Sequence, residues 1–477
     1  MLQIGGQRRI AEPLSLRVEL PCTLLDVFSN LLGLPYPVFL DGASGSPWGG
    51  RFSYVTADPF MVIRSKGRTV QVDSESGAER READPFQVLQ ELLAGFKQLP
   101  VAGLPPFQGG AVGYLAYELA HLLERLPSTA DDDLALPEMV IGFYDWVIAR
   151  DHMTDATWLV STGLPEATRD KAEERLRSIQ RSLNQARLRP CPPARTCRPE
   201  GLRSNFSRGR YLNAVDAVKD YIAGGDAYQV NISQRFEGPQ PCDPWELYLR
   251  LRQVNPAPFA SYLQFPEVAV LSASPEEYLL VEDGTVQTRP MKGTRPRGRS
   301  PQEDRRMAAE LMSSEKERAE NVMIVDLMRN DLGRVCTPGS IQVPELFTLE
   351  THPNVFQMTS TVRGRTRPGI DAVDVLTACF PGGSVTGAPK IRAMEIIDEL
   401  EPTQRSVYCG AIGYIGFDGS MLTSVPIRII LAKGRRVYFQ TGAGIVADSD
   451  PQAEYEETLH KAKGSLAALG LDAPYSV

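Results

Sequence analysis

Four glutamates stand at the entries of two helical patterns. Ser314 with Glu317 three residues on has the form of a capping box, and Glu320 follows one turn along the same face. In the second pattern Asp450 is the N-cap and Pro451 the first helical residue, and Glu454, Glu457 and Lys461 then recur at spacings of three and four. The first helix runs on into the nearly apolar stretch from Val322 to Met328, so burial along much of its length is expected. One Glu-x-x-Glu is ordinary on a solvated helix. Two of them, one on an apolar helix, point to acids converging on a cation, and oxygen donors without Cys or His select a hard ion, Mg²⁺ before Zn²⁺. Such an ion takes one or two carboxylates directly and leaves the others to act through water.

A second group centres on Arg289-Pro-Met-Lys292-Gly-Thr294-Arg-Pro-Arg297. Crowding of Lys292 by Arg289, Arg295, Arg297 and Arg299 would disfavour its ammonium form, one route to a nucleophilic amine, although the same residues also describe a basic solvated loop. Sixteen residues earlier, Ser274-Pro275-Glu276 sets a carboxyl at a strand start, where it can serve as a general acid. The stretch from Pro381 to Lys390 is glycine-rich but has Ala-Pro after Gly387 where a Walker motif needs Lys-Ser/Thr, and phosphate transfer loses its support. Gly442-Ala443-Gly444 imitates a dinucleotide fingerprint, yet the next helix begins only at Pro451. Both loops can present backbone N–H groups to a carboxylate, as a nest does, with Arg428 in the preceding strand as charge partner.

The elements that must position these residues read as α+β. Residues 268–288 and 411–441 each read as a strand meander, with helices predicted over 302–312, 314–331 and 371–379, one from near Ala388 and a last one from Pro451. Helical composition over 166–188 gives way to four prolines between Pro190 and Gly201, which divides the chain into 1–188, a linker at 189–205, and 206–470. Asp131-Asp132-Asp133 and the stretch from Ser74 to Pro85 read as solvated loops. Gly110-Ala-Val-Gly113-Tyr114 is echoed by Gly410-Ala-Ile-Gly413-Tyr414, which suggests related halves whose backbones approach closely.

Composition narrows the function classes. The chain has 477 residues and a formal charge of −8, so no basic field exists to hold nucleic acid or an anionic membrane. Seven cysteines without close, even spacing argue for a reducing compartment, and neither a signal segment nor a long apolar run occurs, so a cytoplasmic protein is expected. Four histidines, none four residues from another, exclude a zincin helix, and Cys191 and Cys197 lack zinc-knuckle spacing.

Taken together, these segments resemble the chorismate-utilising enzymes, the family of anthranilate synthase component I. The match covers about residues 205 to 465 through, in order, Asp226 to Arg235, Ser272 to Glu276, Lys292 to Gly298, Glu317-Arg-Ala-Glu320 with Ile324 to Gly333, Pro381 to Lys390, and Gly442 to Gly444. Arg51 to Tyr54 and Gly109 to Tyr114 look like the family's first domain. The resemblance implies two associated subdomains with packed, mostly antiparallel sheets and helices outside. It implies Mg²⁺ bound by Glu320 and Glu457, with Glu317 and Glu454 acting through water. It places Arg428, Tyr414, Gly442, Ala443, Gly444, Ser384, Lys461 and Thr294 on the substrate chorismate, and makes Glu276 the acid that protonates the departing 4-hydroxyl. Members that aminate C2 usually carry Ala before Gly-Thr, whereas those that aminate C4 carry Lys, as Lys292 here. By similarity Lys292 attacks C2 as the 4-hydroxyl leaves, and ammonia at C4 then displaces it. Gln357 stands where the family usually has His, and a glutamine shuttles no proton, which fits an enzyme that does not expel pyruvate. No cysteine sits in a Gly-x-Cys-x-Gly turn, so ammonia is expected from a separate glutamine amidotransferase subunit. The competing expectations are amination at C2 with loss of pyruvate, and a non-catalytic regulatory subunit.

Overall fold

The computed structural model describes residues 12–42, 49–185, 201–352 and 355–471. Helices form where their caps are written. Asp450 accepts the Ala453 N–H at 2.8 Å with Pro451 in the first turn, and the helix runs Pro451–Ala468. Ser314 accepts the Glu317 N–H at 3.4 Å and opens Glu315–Gly333. The return bond of a full capping box is missing there, because the Glu317 carboxylate is turned to Arg295 at 3.0 Å. Arg169–Gln185, Pro301–Ser313, Ala372–Cys379 and Lys390–Leu400 complete the predicted set of helices.

Among the described residues two sheets of twelve strands each carry the fold, and every strand pairing within them is antiparallel. The two runs expected as single meanders each divide between the sheets. Ala269–Ser274 pairs with Phe259–Gln264 and Ile429–Lys433 in one sheet, while Glu277–Glu282 pairs with Thr285–Thr288 and Met421–Ser424 in the other. Likewise Ala411–Gly416 and Met421–Ser424 belong to one sheet, and Ile429–Lys433 and Arg436–Ile445 to the other. Pro275 and Pro426 cause the breaks, since neither can donate to a ladder. The two crossings lie side by side: Ser274 Oγ donates to the Val425 carbonyl at 2.5 Å and the Val425 N–H to the Glu276 carbonyl at 3.2 Å.

Residues before 186 and residues after 200 both contribute to each sheet, so the expected boundary divides neither sheet into separate bodies. Of the expected linker, 189–200 lies outside the described residues, and Arg203–Ser204 forms an edge strand on Gln229–Pro239. One seam pairs Val38–Asp41 with Phe259–Gln264; the other pairs Gly110–Leu115 with Ala411–Gly416. The echoed glycines meet there, Gly113 opposite Gly413, and a β-carbon on either would fall 1.9 or 2.0 Å from the carbonyl oxygen of Val140 or Leu422. The main core lies between the sheets, with Phe107, Tyr114, Tyr278 and Ile412 in it, and a second core packs Phe28, Trp245 and Tyr262 under helices outside. Among the described residues no helix is long and apolar enough to cross a membrane.

Two loop expectations are corrected. Gly77–Glu82 is an exposed edge strand on Thr69–Ser74, its charges facing water as an edge strand requires. The acidic loop is a tie between the halves: Asp133 pairs with the buried Arg235, Asp131 bridges to Thr403, and Asp132 holds Lys66 at 2.7 Å.

The strongest tie is Arg405. Its guanidinium meets both Glu401 oxygens at 2.7 and 2.9 Å, donates to the Asn231 and Val385 carbonyls, and lies 4.7 Å from the Tyr117 ring centroid. Glu118, buried, accepts the N–H groups of Arg405 and Ser406 at 2.7 and 3.1 Å. Both members of the Arg405–Glu401 pair are 2% exposed, so breaking it strands a carboxylate in the interior. Arg405→Ala is expected to lower the unfolding free energy by about 3–5 kcal/mol. Urea denaturation followed by tryptophan fluorescence reads this, and a wild-type midpoint would overturn it.

Candidate active site

The two crossings and the segments packed on them bring most of the candidate residues together. Glu276 occupies the first crossing and is 4% exposed. Burial pushes its carboxyl up to about 7, against the opposing influence of the Ser384 hydroxyl, the Lys292 charge and the Met291 N–H. Ser384 therefore reaches Glu276, as the loop after Ala372–Cys379 brings it in. Lys292 extends from Met291–Pro296, and its side chain makes no ion pair or hydrogen bond among the described residues. Its pKa is lowered, first by burial and then by Lys461, while Glu320, Glu276 and Glu457 pull the other way. The neighbouring arginines do not cause this shift. Arg289 is bound to Glu350, Arg295 to Glu310 and Glu317, and Arg297 to Asp304, so each spends its charge on a carboxylate.

Arg428 lies in the second crossing rather than within a strand, with a left-handed φ of 55°. Its side chain makes no ion pair or hydrogen bond among the described residues, and burial alone lowers its pKa. A guanidinium in that position cannot deprotonate, so the arrangement is built for an arriving anion.

Gly442, Ala443 and Gly444 lie in the strand Arg436–Ile445, not in a nest loop. The neighbouring Ile429–Lys433 pairs only as far as Phe439, so beyond it one edge of the strand is open. Lys461 donates to the Gly442 carbonyl at 2.9 Å across that edge. Antiparallel alternation then turns the N–H groups of Gly442 and Gly444 to the same open edge and commits Ala443 to Gln229–Pro239. Ala443 also buries its methyl in the core under Arg208–Ala223 and Lys390–Leu400, so it is a packing residue.

Tyr414 is not brought to this place. It bonds Tyr54, packs on Phe107 at 4.6 Å between ring centroids, and lines a separate cavity of about 570 Å³ with Leu40, Pro258 and Phe259. Tyr408, which sequence reasoning passed over, lies instead beside Gly442: a β-carbon there would fall 3.2 Å from its hydroxyl. Both tyrosines flank the same glycine run, Tyr408 in the turn before Ala411–Gly416 and Tyr414 within that strand. Thr294 is exposed, opposite Gln357 on Val355–Arg365. Gln357 is 1% exposed with neither end of its carboxamide bonded, whereas His352 is held by Glu350 at 3.2 Å.

The glutamate pairs face one another from two helices. Glu320 has a raised pKa, chiefly from burial, with Glu317 and Glu454 adding to it; Glu454 is likewise raised by burial and by Glu457. Burial acts on Glu457 too, but Lys461 at 2.7 Å outweighs it and the pKa ends lowered. Glu317 sits over the Lys292 segment, where a β-carbon on Gly293 would fall 2.9 Å from its Oε2. Among the described residues no three potential ligands are close enough to hold an ion, because Glu317 is turned to Arg295, Glu454 to Ser449 and Glu457 to Lys461. The donors are nonetheless hard oxygens that share one region, Glu317 and Glu454 pushing Glu320 up and Glu457 pushing Glu454 up, and such a donor set fits a hard cation such as Mg²⁺.

Comparison with known proteins identifies the family. Residues 49–467 match the chorismate binding enzyme family model. Aminodeoxychorismate synthase component 1 of Escherichia coli is 41% identical over 444 residues, 93% of this chain and 95% of that one. Anthranilate synthase component 1 of Streptomyces coelicolor is 43% identical over 399 residues, 81% of this chain and 77% of that one. The crystal structure of anthranilate synthase component I from Streptococcus pneumoniae superposes with a TM-score of 0.79 at 33% identity, covering 87% of this chain and 92% of that one. An unpaired, half-buried arginine, an amine with lowered pKa beside a carboxyl with raised pKa, and the matched length of chain lead to one statement: the protein belongs to the chorismate-binding enzymes.

Proposed function

We propose that this enzyme is component I of an aminodeoxychorismate synthase, aminating chorismate at C4 with ammonia supplied by a glutamine amidotransferase subunit, for 4-aminobenzoate and folate synthesis. The observation that carries this reading is the pair Lys292 and Glu276. A partly buried amine with lowered pKa and no bonded partner is available as a nucleophile, and a carboxyl held up to about 7 keeps its proton near neutrality. The Lys292 lone pair forms a bond to ring C2, both ring double bonds shift, and the C4–O bond breaks as Glu276 protonates the departing hydroxyl to water. Ammonia then forms the C4–N bond, the double bonds shift back, and the Lys292 amine leaves C2. The proton released by the new ammonium returns to the Glu276 carboxylate, so the cycle closes. Covalent catalysis thus divides one substitution into two allylic ones.

Arg428, the Gly442 and Gly444 N–H groups, Ser384 and Tyr408 supply positive or donor groups for the carboxylates and the enolpyruvyl group of chorismate, and Lys461 steadies the Gly442 carbonyl. Mg²⁺ would be held by Glu320 and Glu457 directly, with Glu317 and Glu454 acting through water. When bound it neutralises this acidic region and draws in the ring carboxylate. Ammonia has no source within the described chain: Cys336, Cys379 and Cys409 are buried with pKa values raised by burial, the reverse of an activated thiolate. The competing anthranilate reaction needs a proton shuttle for pyruvate loss, and Gln357 cannot supply one. A non-catalytic subunit would have no use for an unpaired, half-buried arginine or for the strained amine-carboxyl pair.

Chorismate, Mg²⁺ and ammonium are expected to give aminodeoxychorismate, identified by mass, and no fluorescent anthranilate; anthranilate as the product would overturn the reading. With chorismate and Mg²⁺ alone, intact-protein mass should show an adduct of chorismate less one water. Lys292→Ala should abolish that adduct and lower kcat/KM by roughly 10²-fold or more, about 3 kcal/mol of barrier. Because Glu276 must be protonated and Lys292 neutral for the step to occur, the rate of adduct formation in the absence of ammonia should rise with pH as Lys292 loses its proton and then fall on an alkaline limb set by Glu276. Glu276→Gln should remove the limb and cost on the order of 10²–10⁴ in rate; a wild-type profile in that variant would exclude Glu276. Mg²⁺ should raise the thermal midpoint of the wild type in the presence of chorismate, EDTA should reverse the rise, and Glu320→Gln should show neither effect.

A further inference from the structure

Gln229 takes no part in the reading above, yet it stands at the centre of the site. It is 1% exposed, and neither Nε2 nor Oε1 has a hydrogen-bond partner among the described residues. Leaving both ends of a buried carboxamide unbonded costs about 1–3 kcal/mol for each group, so such a side chain persists where something arrives to bond it. It faces Lys292 across Gly444: a β-carbon on Gly444 would fall 2.3 Å from Gln229 Nε2 and 3.5 Å from Lys292 Nζ. The two side chains therefore share the space over one glycine, at the open edge of the strand that presents its N–H groups to the cleft.

The backbone around Gln229 is fixed by the segments that hold the substrate. Gln229 lies opposite Ala388, the Tyr228 N–H donates to the Ala388 carbonyl at 2.7 Å, and the Asn231 N–H donates to the Thr386 carbonyl at 2.9 Å. A β-carbon on Gly387 would fall 2.1 Å from the Gln229 carbonyl oxygen. The Ser384 loop and the Gly442–Gly444 edge thus both register on this residue, and its side chain is aimed from their junction.

We propose, on the footing of the Lys292 reaction proposed above, that Gln229 is a positioning residue for Lys292: its Oε1 accepts one N–H of the neutral amine and turns the nitrogen lone pair to the substrate ring. The carboxamide suits this task because it is neutral. A carboxylate at the same place would hold Lys292 as an ammonium ion, and an apolar residue would leave the amine free to rotate. The other end, Nε2, lies over Gly444 and closes the site on the side where the glycine leaves room. No atom of Gln229 enters or leaves a covalent bond.

The test is Gln229→Met, close in size and shape but without either hydrogen-bonding end. The variant should keep the wild-type thermal midpoint within about 2 °C and KM for chorismate within about threefold. Formation of the Lys292 adduct, followed by mass in quenched samples without ammonia, should slow about 10- to 100-fold, with an equal fall in kcat when ammonium is present. If Met at this position prevents folding, Gln229→Asn, which keeps the amide but draws it back by one methylene, is measured in the same way. Adduct formation at the wild-type rate in a folded variant overturns the proposal, as does a rise in KM with kcat unchanged, which would make Gln229 a substrate contact only. The wild type is run alongside: absence of its adduct and of aminated product condemns the Lys292 reading itself, whereas a working wild type and an equally active Gln229→Met condemn only the role of Gln229.

Discussion

Arg405 and Glu401 form the pair on which the site's geometry rests. Both side chains are 2% exposed, and two further N–H groups of the guanidinium are spent on backbone carbonyls of the segments around the site. Val385 follows Ser384, and Asn231 lies two residues after Gln229. The partner carboxylate Glu401 takes the N–H and hydroxyl of Ser233 at 2.7 and 2.9 Å, further along the same strand. On the other side Glu118 caps the Arg405 and Ser406 amides, and Tyr117 lies against the guanidinium, so residues from the first half of the chain close the network. A buried ion pair is seldom a net gain in stability over an apolar pair of the same volume. Its return here is register: three segments that would otherwise slide are locked to one planar group.

Within the cleft so fixed, the two cations differ in kind. Arg428 stays charged whatever surrounds it, so burial without a partner makes it a standing demand for an anion. Lys292 answers the same burial by favouring its neutral form. On the proposed reading the cleft holds one residue that binds and one that reacts, both made by desolvation and told apart by intrinsic basicity. The carboxylates divide in the same manner. Glu276, deep in the crossing, retains a proton to about 7, while Glu457 at the helix entry is kept ionised by Lys461.

Much of this was legible in the chain because caps and motifs are local. Asp450-Pro451, Ser314 and the charged turns fix helix entries without reference to the rest of the fold, and the helices lie where the caps place them. The strands at Ala269–Ser274 and Glu277–Glu282 were visible as runs, but their assignment to different sheets was not. Strands buried on both faces carry no alternation to say which sheet receives them, and Pro275 reads equally well as a turn. The family resemblance carried Tyr414 into the site and left Tyr408 out, because Tyr408 stands in the turn before Ala411–Gly416, where no local pattern aims a side chain at Gly442. The arginines around Lys292 misled for another reason. Nearness in sequence suggested that they crowd the amine, but long side chains reach outward to Glu350, Glu310 and Asp304, and burial does the work instead.

The same cleft limits where protons can travel. Gln229 beside Lys292 and Gln357 across from Thr294 are both neutral carboxamides, and neither can accept or release a proton near neutrality. His352, close to Gln357 in sequence, is held by Glu350, which Arg289 and Thr359 also engage. On the proposed reading, one acid and one nucleophile suffice to exchange a hydroxyl for an amine, because the proton that Glu276 gives up in the first half is recovered in the second. Eliminating a side chain from the same ring would require a further base placed over a ring carbon, and a glutamine at 357 cannot act as one.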